Sequence, residues 1–171
     1  MKKIIYISFF AILLPTMSYG GEKAKHDEHQ VKHQTSHNVE KLSPDLRDLL
    51  SQEMKALQEG MMSIIPAYIS GNWHEIAITA RKIKTSYILK QKLSEAQRRE
   101  LKSVLPAEFF NKDQHFHYLA GMLEHTANTK KPELINFYFS EMSQACVSCH
   151  TTFATDKFPA LTPERKGEHS H

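Results

Sequence analysis

Cysteine occurs only twice in the 171 residues, as Cys146 and Cys149, so a zinc site built from two cysteine pairs is excluded. Nothing approaches the run of about 20 apolar residues that a membrane-crossing helix needs. The longest run, "IIYISFFAILL" from Ile4 to Leu14, is too short. No stretch alternates apolar and polar residues as a half-buried strand would, which leaves helix as the regular structure. Nor does charge of one sign dominate. Without the first 20 residues, and so without Lys2 and Lys3, the 22 basic residues become 20 against 19 acidic ones. That near-neutral balance offers no nucleic-acid surface.

The N-terminus is organised for export. Lys2 and Lys3 precede the apolar run, and Pro15 and the small-residue stretch "TMSYG" follow it. This pattern predicts a signal peptide over 1–20, cleaved after Gly20 or, alternatively, after Ser18, and hence a periplasmic protein. No cysteine follows the run, so lipid anchoring is excluded. About 150 residues remain, enough for one domain with a real core. Residues 21–41 contain no aromatic residue and only Val31 and Val39 as sizeable apolar ones, which predicts a disordered His/Lys-rich tether. His26, His29, His33 and His37 in the tether, with His169 and His171 in a flexible tail over 159–171, suit loose metal binding or plain solvation.

Between the two tails, residues 42–158 read as helices. Ser43-Pro44-Asp45 predicts a helix start with the Ser43 hydroxyl as cap. Leu46, Leu50, Met54, Leu57, Met61, Ile64 or Ile65, and Tyr68 recur at steps of three and four until Gly71. Asn72 with Glu75 opens a second helix, expected to run to about Gln91, with Trp73, Ile76, Ala77, Ala80, Ile83, Tyr87 and Ile88 inward. Ser94 with Gln97 opens a short helix ending near Leu105-Pro106. Asp113 is expected to cap a third long helix carrying Phe116, Leu119, Ala120 and Leu123. Pro132-Glu133 opens a fourth, with Leu134, Phe137, Tyr138, Phe139, Met142 and Ala145. The pattern predicts an all-α antiparallel four-helix bundle.

At the end of that last helix stands "QACVSCHTTF", in which Cys146, Cys149 and His150 spell C-x-x-C-H. A redox dithiol wants its pair at a helix start, where the dipole lowers a thiol pKa; here the pair lies late in a helix. A structural zinc ion would need four ligands. A c-type heme fits the whole string: two thiols one turn apart form thioethers, and the histidine immediately after lies near the iron.

A helical bundle with this motif on its last helix resembles the cytochrome c′ family, the class II c-type cytochromes. The resemblance spans about 43–158 and rests on "CVSCHTTF", on "EMKALQEGMM" in the first helix, and on Leu105-Pro106 followed by Phe109 and Phe110. It implies one covalently bound heme c, with His150 as the proximal iron ligand. It also implies a distal residue on the first helix, seven before a second apolar one, which here gives Met54 and Met61.

In low-spin members of the family the distal residue is a methionine that completes the coordination, so Met54 implies a one-electron carrier. In the pentacoordinate members it does not ligate, which implies a protein that binds nitric oxide or carbon monoxide. A methionine on a core stripe also serves simply as packing. Arg47, seven before Met54, is a candidate contact for a heme propionate. Phe153 is expected beside the proximal ligand, whereas His74 reads as exposed, His115 and His117 as solvated or capping groups, and His125 as a satisfied or surface histidine. A separate redox partner is expected, the resemblance is compatible with a homodimer, and no enzymatic step is implied. A third reading makes the histidine-rich tails the function, as a metal binder.

Overall fold

The computed structural model describes residues 38–86 and 93–161, which form an all-helical fold. The expected signal peptide, the expected tether as far as His37, Tyr87 and Ile88, and the tail from 162 onward lie outside the described residues. Five α-helices follow one another: α1 (Pro44–Ile69), α2 (Trp73–Thr85), α3 (Glu95–Val104), α4 (Ala107–Asn128) and α5 (Pro132–Phe153). Short 3-10 turns at Val39–Lys41 and Pro159–Leu161 flank them.

The helix ends follow local chemistry. Pro44 and Pro132 occupy first-turn positions, where a missing N–H leaves no bond unmade. Asn72 caps α2 by accepting from the Glu75 N–H at 3.2 Å. At α3 the Ser94 hydroxyl accepts from the Gln97 N–H while the Gln97 side chain accepts from the Ser94 N–H, a complete capping box. α1 closes with Gly71 at φ 69°, whose N–H reaches the Tyr68 carbonyl while the Asn72 N–H reaches Ala67. The end of α4 has the same two-bond closure, but with Lys130 in the left-handed conformation at φ 52°.

Four expectations are corrected. The Ser43 hydroxyl makes no cap bond; its backbone N–H donates instead to the Glu100 carboxylate of α3. α2 ends at Thr85 rather than near Gln91: the Thr85 hydroxyl turns back onto the Arg81 and Lys82 carbonyls, and Ser86 leaves helical geometry. Asp113 does not cap a helix. α4 begins six residues earlier, directly after Pro106, and Asp113 lies inside it. On α5 the buried residues are Ile135, Met142 and Phe153, while Leu134 and Phe137 are 42% and 52% exposed. Within the stretch expected to be a tether, Asn38 is buried and bonded to Thr155.

Helix pairing is antiparallel at each interface. Ser63 of α1 meets Thr79 of α2, and Gly60 meets both Thr79 and Ile83. Arg81 of α2 pairs with Glu124 of α4, and farther along α2 the Ile83 carbonyl meets His117. Lys112 near the start of α4 reaches Ser148 near the end of α5, and Phe109 meets Phe153. α1 packs on α2, α2 on α4 and α4 on α5; α1 and α5 are not among the extensively packed pairs.

The buried apolar residues form two clusters. The larger gathers Leu57, Ile64, Ile76, Ile83, Leu119, Leu123, Ile135 and Met142 among others. The smaller joins Leu42, Leu46 and Leu50 to Leu101, Leu105, Phe109 and Phe153. α1 and α5 therefore run antiparallel through both, the start of α1 beside the end of α5.

Candidate functional site

The last two turns of α5 carry Cys146, Cys149 and His150, three and four residues apart and so on adjoining parts of one helix face. Both thiols are free and half-buried. Cys146 packs against the larger cluster and Cys149 against the smaller, so the pair straddles the seam between them. Met54 of α1 is half-buried and packs against both clusters. Like the cysteine pair, it therefore stands where the two clusters meet. Met61 packs on the larger cluster alone, and Met62 is 63% exposed.

Electrostatics separate this cysteine pair from a reactive dithiol. Burial, and secondarily the Asp113 carboxylate, push the Cys149 thiol up to about 11. Burial also raises Cys146. Both remain protonated near neutral pH, the opposite of the thiolate that a disulfide oxidoreductase needs. His150 moves the other way: burial, aided by the nearby Lys157 charge, lowers its pKa and favours the neutral imidazole. A neutral ring nitrogen is the form that ligates a metal.

The residues fit a covalent heme. Thiols one turn apart and a neutral histidine directly after them supply the attachment set. The seam between two apolar clusters, bounded by two helices that do not pack extensively on one another, suits a flat apolar ring. Phe153 is buried beside this end of α5, edge-on to Phe109 at 5.4 Å. Arg47 is exposed on the second turn of α1, between the buried Leu46 and Leu50, at the end of α1 that adjoins the motif.

Among the described residues no three His, Cys, Asp or Glu side chains gather as a metal-ion site. The histidines of both tails lie outside those residues. His74 and His125 are exposed, and His115 is exposed and stacks on Tyr118. His117 departs from its expected solvation: it is 1% exposed, with Nδ1 at 2.7 Å from the Ile83 carbonyl and Nε2 at 3.5 Å from Asp113. Its position beside Phe116 hid this, because the adjacent Phe116 and His117 both turn inward. Glu53, next to Met54, is also buried, 3.4 Å from the Ser86 hydroxyl. No feature of the local sequence signals that burial.

No helix among the described residues is long and apolar enough to cross a membrane. Comparisons with protein-family models, with curated proteins and with solved structures found no match to this chain.

Proposed function

We propose that this chain is an exported c-type cytochrome of the cytochrome c′ kind, an electron carrier with one covalent heme c. In this reading α1, α2, α4 and α5 make an antiparallel four-helix bundle. Cys146 and Cys149 would hold the heme by thioethers, His150 would serve as the proximal ligand and Met54 as the distal one. The observation that carries the reading is the common seam: Met54 packs against both apolar clusters, and the two cysteines divide between them.

When bound, the heme supplies a ferric/ferrous couple. The chain's own part is to orient and enclose. α5 presents the thiols and imidazole along one face, buried Phe153 and Phe109 shut the end of the core, and the surrounding leucines keep water from the seam. A thioether on the distal side favours the ferrous state and raises the potential. No bond to a substrate is made or broken, so the protein acts by exchange with a redox partner rather than as an enzyme. Export to the periplasm, where such hemes are attached, accompanies this reading, and a homodimer is compatible with it. Arg47 remains a candidate propionate contact on the strength of its place near the motif end of α1.

Absorption spectra of the purified ferric protein test the distal assignment. Met54 ligation predicts a low-spin spectrum with the weak far-red band of methionine-bound iron, lost in Met54→Leu. Leucine nearly conserves volume, so the fold should change by less than about 1.5 kcal/mol. A high-spin ferric spectrum in the unaltered protein would replace the carrier reading with that of a pentacoordinate binder of nitric oxide or carbon monoxide.

A further inference from the structure

The chain beyond α5 is folded back onto the motif. Ala154 caps α5 by donating its N–H to the His150 carbonyl, and the Phe158 N–H then donates to the Ala154 carbonyl at 3.0 Å. The reversal at Thr155–Lys157 is tied down by buried Asn38, whose amide donates to the Thr155 hydroxyl at 3.2 Å. The outcome is a face-to-face stack of Phe158 on the His150 imidazole, with centroids 4.2 Å apart and planes 12° from parallel.

Two features distinguish this stack from ordinary core filling. Phe158 belongs to neither apolar cluster, nor is it among the half-buried residues packed against them. A near-parallel stack also covers a face of the imidazole and leaves the ring edge, where the nitrogens lie, clear of the phenyl. Rotation of His150 about its Cβ–Cγ bond would break the overlap, so the phenyl fixes the plane of the imidazole while leaving its nitrogens available.

We propose that Phe158 is a positioning residue for the heme's proximal ligand: it sets the orientation of the His150 ring, and through it the electronic asymmetry at the iron. This rests on the heme reading above but not on the role of Met54, because a fixed imidazole plane shapes both low-spin and high-spin iron. Substituents around an axial ligand are among the levers by which a protein tunes a heme.

The test uses the full-length heme-bearing protein, with Phe158→Leu and Phe158→Met removing the ring and Phe158→Tyr retaining it. Electron paramagnetic resonance of the ferric form should show a changed spread of g-values in the Leu and Met variants. The Tyr variant should retain the spread of the parent. In the heme-free full-length chain, the His150 ring protons should resonate upfield under the Phe158 ring current and return to ordinary histidine positions in Phe158→Leu. Parent-like g-values in both ringless variants would overturn the positioning role, as would ordinary His150 resonances in the heme-free chain. Intact mass separates this from failure of the underlying reading: an exported parent protein of bare polypeptide mass overturns the heme assignment, and the positioning role with it.

Discussion

At the scale of single residues, Cys149 and Glu124 show how burial acts in opposite company. Cys149 lies among apolar side chains with Asp113 nearby, so its charged form is disfavoured and the thiol stays protonated. Glu124 is held below its usual pKa chiefly by the Arg81 hydrogen bond, with Lys84 adding to it against the opposing effect of desolvation. Because the folded carboxylate has the lower pKa, its stabilisation is present above the unfolded value of about 4.3 and is lost as pH falls through the folded one. Arg81 and Lys84 are largely exposed, so water and salt screen the pair to about 0.5 kcal/mol. Denaturation of Glu124→Gln should therefore show a small loss at pH 7 that disappears toward pH 3; an equal loss at both would remove the electrostatic account. Residues of this kind also mark where sequence is silent. The C-x-x-C-H spacing is legible because its chemistry is local. The burial of Glu53 and His117 is not, since each is set by helices that lie far away in sequence.

At the scale of elements, helix starts and stops were read where a single residue type meets a single backbone demand. The Asn72 and Ser94 caps and the Gly71 stop are of that kind. The start of α4 was misread because Asp113 resembles a cap. In fact Pro106, lacking an N–H and ending the previous helix, already defines that start. The face of α5 was misread for another reason. "LINFYF" offers apolar residues on several sides, and only tertiary packing, chiefly against α4, selects Ile135 over Leu134 and leaves Phe137 outward. The two positive-φ closures permit a paired test. Gly71→Ala should destabilise by about 1 kcal/mol, because a Cβ strains the left-handed conformation. Lys130→Gly should stabilise by a similar amount for the converse reason. Both are read from chemical denaturation midpoints, and matching signs would refute the shared closure.

At the scale of the whole molecule, the arrangement of helices gives the motif its context. Pairwise antiparallel packing brings the start of α1 to the end of α5, and so brings Met54 onto the seam between the apolar clusters that the two thiols straddle. An all-helical fold was legible from periodicity and from the lack of strand alternation. That Met54 and the cysteines share a boundary between two clusters was not, because it depends on how the five helices share out the buried residues. The central claim, that this seam holds a covalent heme, is tested most directly by the intact mass of the full-length protein expressed with export and heme-attachment machinery. The account predicts a mature chain beginning near Gly21 with the mass of one heme added, and loss of that addition in the Cys146→Ala, Cys149→Ala double variant. A mature parent chain with the mass of the bare polypeptide would contradict it.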